Sequence, residues 1–437
     1  GALPGHAAPG AAPEETEEAE GEEASVAYAP ALSRFMFVLG HVALQQLVHM
    51  EELARSVRRV RAERDKKHAE AGEAAIEAAA RSGKGLVADE DSEDEDIAAQ
   101  LGVGTATEDA ELDALRESIE REILSGSNIV GMYAPAARWL MLRMCKQRAA
   151  FAGAEFAQLR CSAVLAMAKL MCVDATFCET NLQLLFDMLK KAPEPAVRSN
   201  LIISLGDLAF RFPNIVEPWT EHMYAALHDA VPSVRKNALM VLTHLVLNDM
   251  MRVKGHVSEI AVCLEDSEPR IGDLARLFFH ELSQKGKHNP IYNLLPDMLS
   301  RLSAKADLPM ESFQRIMRHL FMYMQKDKQA DALVEKLCQR FPGAEGPKQW
   351  HDIAFCLSQL PLTEKGVRKL GESFKLYKDT LGSEEVRGCF NSLLAKARKV
   401  PGAKVEMKAA VEELEAKLVA YGEEKAEEEA ASERARQ

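Results

Sequence analysis

A motif that recurs at 37-residue intervals constrains the fold of this chain more than any other feature of its sequence. Pro195-Ala-Val-Arg198, Pro232-Ser-Val-Arg235 and Pro269-Arg-Ile-Gly272 each follow an apolar helical segment and open a second one. Leu159-Arg160 opens an equivalent helix one repeat earlier. A period in the high thirties with two helices per unit lies nearest to HEAT and armadillo repeats, in which helix pairs stack into a solenoid.

The physics of a helix pair explains why such repeats must stack. One two-helix hairpin cannot bury both of its apolar faces, so neighbouring hairpins complete the core. A Pro in the first turn of the second helix loses no hydrogen bond, because first-turn N–H groups lack helical partners anyway. Asp229 and Asp266, in the loops, are predicted to cap helices. Arg198 and Arg235 recur at one repeat position, and we expect salt bridges to such loop acids rather than a ladder of phosphate contacts.

The later part of the chain loses the motif but keeps the alternation of apolar helices. We expect three further pairs: Ile291–Leu302 with Phe313–Met324, Ala330–Phe341 with Trp350–Leu360, and Gly366–Tyr377 with Glu384–Ala397. The spacing within the second helices predicts an inward face made of Leu201, Leu205, Ala238, Leu242, Leu274 and Phe278. The predicted fold is all-α, a HEAT/armadillo-type α-solenoid of roughly six or seven helix pairs with disordered acidic flanks and linker.

Charge is distributed unevenly along the chain. The formal net charge is −13, yet residues 151–400 carry 32 Lys and Arg against 29 Asp and Glu. The acidity therefore lies outside this body, and the acidic average does not exclude nucleic acid as a partner. The shifts in composition predict a disordered segment 1–30, a helix 31–68 with a basic C-terminal half, an acidic disordered linker 69–110, a repeat domain 111–400, and a terminal helix with an acidic tail 401–437.

The helix predicted over 31–68 combines an apolar half with a basic half. Ser33 is placed to cap it. Its apolar stripe is predicted to consist of Phe37, Leu44, Leu47 and Val48. Seven cations follow between Arg55 and Lys67, and helical spacing brings Arg55, Arg58 and Arg59 to one face.

Sequence motifs of catalysis, cofactor binding and metal binding are absent. The chain contains no GxxxxGK[ST], no GxGxxG after a strand, no GxSxG and no zinc-ligand spacing, and His280-Glu-Leu-Ser-Gln284 lacks the second His of a helical zinc site. The eight cysteines form no CxxC, a pattern typical of buried free thiols in a reducing compartment. We predict no signal peptide and no apolar run of spanning length. We expect a protein that is not an enzyme, uses no cofactor, and is neither secreted nor membrane-inserted.

Basic residues are the remaining candidates for a binding site. Two pairs lie in turns between helices, Arg252 with Lys254 and Lys326 with Lys328. Turns of a solenoid line one edge, so these cations could follow a DNA backbone. The basic helix with Arg55, Arg58 and Arg59 is the rival site, and ordinary solvated charge is the alternative for both. Because no aromatic residues are interleaved, we predict any nucleic-acid contact to be independent of base sequence.

Several long and unusual strings stand out in the sequence. The most extensive runs from Val197 to Thr220 (VRSNLIISLGDLAFRFPNIVEPWT). The others are Leu247–Gly255, Phe278–Ser283, Asn289–Pro296, Lys326–Gln329, Leu333–Cys338 and, near the start, Leu39–His49. These strings resemble the C-terminal part of the condensin complex subunit 1 family, and the resemblance extends over residues 33–400.

The resemblance implies a function that periodicity alone cannot supply. Members of this family are the HEAT-repeat regulatory, non-ATPase subunit of condensin I. They bind the kleisin subunit, which bridges a pair of structural-maintenance-of-chromosomes ATPases, and they help to hold and compact mitotic DNA. The implied partners are therefore the kleisin, the ATPase pair and double-stranded DNA or chromatin, with no membrane and no small-molecule substrate. The implied location is the nucleus and the mitotic chromosomes, with a cytoplasmic pool in interphase.

Two features depart from the family, and two other functions stay open. The family usually ends in a basic, phosphorylatable tail, whereas this chain ends acidic and contains no Ser-Pro or Thr-Pro. Its candidate phosphosite is Ser92, which precedes Glu93-Asp-Glu95, a setting that acid-directed kinases favour. The alternatives are the HEAT subunit of condensin II and a protein-only solenoid scaffold of the transport-receptor or adaptor type. Binding of naked duplex DNA separates the condensin functions from the adaptor function.

Overall fold

The computed structural model describes residues 14–82, 103–251, 255–286, 289–324, 327–399 and 405–436. Throughout these ranges every regular element is an α-helix or a short 3-10 helix, which confirms the predicted all-α solenoid. The chain divides into two compact units, Gly1–His222 and Met223–Gln437.

The first unit is built from two layers of helices. Its helices are α1 (Glu14–Ser82), α2 (Val103–Ile123), α3 (Ile129–Lys146), α4 (Ala157–Met171), α5 (Ala175–Lys191), α6 (Pro195–Arg211) and the single turn α7 (Pro213–Val216). Helices α3 and α5 pack together as the first helices of their repeats. Helix α1 packs on α4, and α4 on α6, to form the layer of second helices.

The second unit continues the same alternation. After α8 (Thr220–Ala225), at the division between the units, it contains α9 (Pro232–Leu247), α10 (Val257–Val262), α11 (Pro269–Gln284), α12 (Ile291–Ser303), α13 (Met310–Phe321), α14 (Asp327–Cys338), α15 (Pro347–Gln359), α16 (Glu364–Glu372), α17 (Phe374–Tyr377), α18 (Glu384–Arg398) and α19 (Val405–Arg436). The first helices α10, α12, α14 and α16 contact one another in succession. The second helices pair as α9 with α11, α13 with α15, and α15 with α18.

The loops before the second helices differ in one detail from the prediction. As predicted, α6, α9 and α11 each begin at the Pro of the motif. Asp229 and Asp266, however, do not cap these helices. Their carboxylates accept hydrogen bonds of 2.8 Å from the N–H groups of Val231 and Glu268, two residues further on. Each Asp therefore closes the turn that leads into the helix.

The predicted inward face of the second helices is confirmed with one exception. Leu201, Leu205, Ala238, Leu242 and Phe278 are fully buried. Leu274 is only half-buried, because the inward face of α11 follows Ile271, Ala275 and Phe278 and leaves Leu274 at its edge.

The boundaries of the terminal and linker segments need correction. Helix α1 is longer at both ends than the predicted 31–68, and it includes residues 14–30 and 69–82, which were predicted to be disordered. Helix α2 starts inside the predicted linker, and α19 carries the acidic tail as far as Arg436. These segments contain few large apolar side chains, which suggested disorder, but Ala and Glu are strong helix formers and extend a helix that packing has already nucleated.

The buried face of α1 also differs from the predicted stripe. Leu47 is buried, but Phe37 and Val48 are exposed, and the buried face consists of Ala29, Met36, Leu39, Ala43 and Leu47. Ser33 lies inside the helix rather than at its start, and its hydroxyl lies 2.8 Å from that of Ser162 on α4. A Cβ on Gly40 would lie 2.7 Å from the Cα of Ala166, so a glycine is needed where α1 and α4 approach most closely.

The expectation that no apolar run reaches spanning length is wrong. By length and composition alone, Tyr28–Gly72 of α1 could cross a membrane. A third of its most apolar window (33%) is buried inside the first unit, and core helices pass the same test.

The cysteines are only partly buried. All eight are free, and Cys178, Cys263, Cys338 and Cys356 are buried as expected, whereas the other four are half-buried. Burial raises the pKa of Cys263 to about 12, which keeps that thiol protonated at neutral pH.

Candidate nucleic-acid interface

The strongest candidate for a DNA contact is the stretch of α1 from Arg55 to Lys67, here called the basic segment. Arg55, Arg58 and Arg59 lie in helix, as predicted, and all three are exposed. The Arg55 Nε donates to the carbonyl of Glu51 at 3.3 Å. The Arg58 guanidinium lies 3.4 Å from the Asp113 carboxylate on α2, and both of these side chains are more than half exposed.

A cluster of four charges holds α1 in place just before the basic segment. Arg211, at the end of α6, contacts Glu51 of α1 at 3.1 Å and Glu120 of α2 at 2.6 Å. Arg116 of α2 contacts the same two carboxylates at 3.3 and 2.9 Å. Sequence reasoning missed this cluster, because Glu51 and Arg211 are 160 positions apart and no local pattern connects them.

Solvent exposure decides what the cations of the basic segment can do. Arg64 pairs with Asp65 at 3.6 Å and Lys66 with Glu70 at 3.8 Å, and all four side chains are more than half exposed. Exposed ion pairs of this kind contribute only about 0–1 kcal/mol each. The cations can therefore exchange these partners for phosphate groups at little cost.

The described residues do not show whether the four turn cations form a site. Arg252, Lys254 and Lys326 lie outside the described residues. Lys328 lies in the first turn of α14, but its side chain is also outside the description. The grouping of these four residues into one DNA contact stays a prediction.

A lysine that sequence analysis did not single out holds the turn next to Arg252. The Lys285 ammonium donates to the carbonyl of Val246 at 3.1 Å and contacts the Asp249 carboxylate at 2.5 Å. Asp249 has a φ of +59°, in the left-handed region that Asn and Asp tolerate better than other non-glycine residues. The cation thus satisfies a carbonyl at the C-terminal end of α9.

Of the two recurring arginines, Arg235 makes the predicted salt bridge to a loop acid, whereas the described bonds of Arg198 go to loop carbonyls. Arg235 makes two parallel hydrogen bonds of 2.8 Å to the Asp266 carboxylate and a third to the carbonyl of Asp229 at 2.9 Å. Arg198 donates to the carbonyls of Ala192 and Pro193, both at 2.9 Å. Burial opposes ionisation of Asp266, but the hydrogen bonds from Arg235 keep the pKa of this carboxyl below its usual value. Arg235 is therefore committed to the loop and not to phosphate.

The histidines in the second helices do not form a metal site. The Nδ1 of His244 lies 3.1 Å from the side-chain amide of Asn248, and His280 is exposed on α11. Among the described residues no group of three metal-ligating side chains comes together. The candidate phosphosite, Ser92, lies outside the described residues.

Comparison with known proteins places this architecture in a family. Residues 196–358 match the family model of the non-SMC mitotic condensation complex subunit 1. Over 400 residues, or 91% of its length, the chain is 47% identical to the condensin-1 complex subunit CAP-D2 of Arabidopsis thaliana and covers 27% of that protein. It is 44% identical to the Homo sapiens condensin complex subunit 1, with coverage of 89% of this chain and 26% of the relative.

A relative from the second condensin is more distant. The Mus musculus condensin-2 complex subunit D3 is 27% identical over 128 residues, which are 29% of this chain and 8% of that protein. The two subunit 1 relatives are more than three times as long as this chain, which spans only 26–27% of them. The chain thus belongs to the condensin complex subunit 1 family and corresponds to the C-terminal part of its longer relatives.

Proposed function

We propose that the chain works in condensin I as a non-catalytic HEAT-repeat scaffold that binds the kleisin subunit and DNA during mitotic chromosome condensation. The family match supports membership of condensin. The identity of 47% to a condensin-1 subunit, against 27% to a condensin-2 subunit, favours condensin I. ATP hydrolysis would belong to the structural-maintenance-of-chromosomes pair that the kleisin bridges.

The exposed basic segment is the observation that supports DNA binding. Its arginines project from a helix whose preceding turns are fixed by Arg211 and Arg116, so the cations start from a defined position. Guanidinium groups on a helix can pair with successive phosphates without reading bases. The turn cations Arg252, Lys254, Lys326 and Lys328 are proposed as a second contact.

Membership of condensin also supports the proposed kleisin contact and the proposed location. Stacked helix pairs present extended surfaces on which a long flexible partner can lie. We place the protein in the nucleus and on mitotic chromosomes, with a cytoplasmic pool in interphase. Phosphorylation at Ser92 would add negative charge to an already acidic stretch and modulate its contact with a basic partner.

A charge-reversal experiment tests the DNA contact. The variant carries Arg55→Glu, Arg58→Glu and Arg59→Glu, and affinity for a duplex of mixed sequence is measured between 50 and 200 mM salt. If three phosphate contacts are lost, affinity at low salt falls by at least about tenfold, and the slope of log affinity against log salt decreases by about three. The matched control reverses three scattered exposed lysines, Lys146, Lys236 and Lys408, and should change both quantities much less.

The remaining outcomes separate the alternatives. If DNA affinity falls only when Arg252, Lys254, Lys326 and Lys328 are all changed to Glu, the turns rather than the basic segment contact DNA. If neither variant alters binding, this region does not hold DNA. Capture of a purified condensin kleisin by the same variants would then identify a protein-only scaffold within the complex.

A further inference from the structure

An apolar surface on the first unit is left uncovered by the described residues. On α3, Ile129, Met132 and Trp139 are 73%, 58% and 57% exposed, and Tyr133 is 42% exposed. They recur at positions i, i+3, i+4 and i+10, so they share one face of the helix. Phe35, Val38 and Val42 are exposed on α1. These seven residues are here called the apolar patch.

Ring contacts join the two halves of the apolar patch. The rings of Phe35 and Tyr133 meet edge to face with their centroids 5.2 Å apart, so α1 and α3 present one continuous surface. The Arg143 guanidinium lies over the Trp139 ring, 5.1 Å from its centroid. Scattered exposed apolar residues are normal on a protein, but a contiguous patch with aromatic residues marks an interaction surface.

The order of the helices in the two layers indicates what kind of element would cover the apolar patch. In the second unit, the first helix α12 has a first helix on each side, α10 and α14, and α14 likewise lies between α12 and α16. In the first unit, α3 contacts α5 on one side, and α1 supplies a second helix against α4. Helix α2 also contacts α1 and α3, but it leaves all seven residues of the apolar patch exposed, so the described residues do not supply a first helix over this side of α3. The vacant position is therefore that of one more helix, next to both α1 and α3.

The charges around the apolar patch show what chemistry the occupant has. The stretches Tyr28–Met50 and Ile129–Lys146 contain no Asp or Glu at all. Their charged residues are the cations Arg34, Arg138, Arg143 and Lys146. Arg138 donates to the side chain of Asn181 on α5, so Arg34, Arg143 and Lys146 are the cations left for a partner. A complementary helix presents an apolar face to the patch and carboxylates at its borders.

We propose that the apolar patch is the seam on which an amphipathic, acidic-bordered helix packs, and that this helix comes from the region preceding the matched part in full-length relatives. The matched part is the C-terminal part of those proteins, and the chain covers only 27% of the Arabidopsis relative. Helix α1 is then the second helix of a repeat whose first helix lies in that preceding region. The proposal does not depend on DNA or kleisin binding.

Crosslinking in a full-length protein tests the seam. In a chimera, this chain replaces the matched part of the Arabidopsis relative, to which it is 47% identical. The chimera that carries Trp139→benzoylphenylalanine, a photocrosslinking residue, is irradiated, and the crosslinked peptides are identified by mass spectrometry. We expect crosslinks to one amphipathic, acidic segment upstream of the 437 residues. Leu277→benzoylphenylalanine is the matched control, since Leu277 is 53% exposed but lies on α11, and it should not reach that segment.

Limited proteolysis gives an independent measurement. Met132→Asp combined with Trp139→Asp changes two exposed residues, so the fold of the unit should survive, as circular dichroism can check. Cleavage of the upstream segment should accelerate by roughly tenfold or more, because the seam opens. Ile203→Asp with Leu277→Asp, also at exposed positions, should leave the rate unchanged. Any of three results would overturn the proposal. Position 139 could crosslink only within the 437 residues, it could crosslink only to a second copy of the chimera, or the rate of proteolysis could stay unchanged.

Discussion

Arginine side chains serve opposite purposes in two regions of this protein. At the start of α9, the side chain of Arg235 pairs with that of Asp266, which lies in the loop that leads into α11. The two side chains are only 12% and 8% exposed, and they form two parallel hydrogen bonds of 2.8 Å. In the basic segment, the side chains of Arg58 and Asp113 are 51% and 68% exposed and lie 3.4 Å apart. Both are ion pairs between arginine and aspartate, and only their burial differs.

The difference shows that burial, more than residue type, assigns the role of a charge. A buried charge must stay paired, because water cannot replace its partner. An exposed pair competes with water and salt, contributes little to stability, and remains available to a ligand. Arg235 is therefore part of the fold, and the arginines of the basic segment are candidates for function.

The largest effect is expected from breaking the buried pair. Arg235→Ala should reduce the free energy of unfolding by about 3–5 kcal/mol, because Asp266 is left buried and unpaired. The measurement is urea denaturation followed by circular dichroism. Arg235→Met combined with Asp266→Asn is the control, since it removes both charges, keeps an acceptor for the N–H of Glu268 and should recover much of the loss. A single variant as stable as the wild type would show that the pair is not structural.

An intermediate and pH-dependent effect is expected at Glu259, which contacts His228 at 2.7 Å and Lys305 at 2.6 Å. The hydrogen bonds with His228 and Lys305 lower the pKa of Glu259 to about 2, against an ordinary value of 4.5. Because the folded pKa is depressed, the stabilisation is complete above pH 4.5 and disappears as the pH falls toward 2. It amounts to at most about 3 kcal/mol.

Comparison of Glu259→Gln with the wild type measures this effect. The two proteins are unfolded in urea at pH 6, 4.5 and 3. The stability difference should be constant between pH 6 and 4.5 and should shrink at pH 3. If the difference in free energy of unfolding does not change with pH, the charge of the Glu259 carboxylate does not stabilise the fold.

The smallest effect on stability is expected in the basic segment. Arg58→Ala should change the free energy of unfolding by about 0–1 kcal/mol, because its partner Asp113 is exposed. The same substitution should still weaken DNA binding, and Asp113→Ala should leave it equal or stronger. Denaturation and duplex binding are measured on the same samples. A destabilisation as large as that of Arg235→Ala would remove the contrast between the two regions.

The repeat domain was predictable because its signals are local and periodic. Pro in the first turn, the inward spacing of residues such as Leu242, and the position of Arg235 recur at a fixed interval. Each copy therefore supports the interpretation of the next. Helix α1 has no repeat to support its interpretation, and its apolar residues surround the helix too evenly to show which face is buried. Phe37 was therefore assigned inward although it is exposed.

The candidate site was predictable only as a set of cations. Sequence alone indicated Arg55, Arg58 and Arg59 on one helical face, and the structure has them exposed in helix. It could not indicate that Arg211 and Glu120 fix the start of this segment, because these residues meet Glu51 only after α1, α2 and α6 have packed. The exposure of Trp139 was hidden for the same reason.

The sequence by itself determined the fold class, the starts of the second helices and the family, because propensity, proline placement and repeat spacing act over a few residues. Only the tertiary structure decided which face of α1 is buried, which arginines are committed to carboxylates, and where an apolar surface remains uncovered. These properties depend on which neighbours remove water from a side chain. Such neighbours are up to 160 positions away in this chain, beyond the reach of any local pattern.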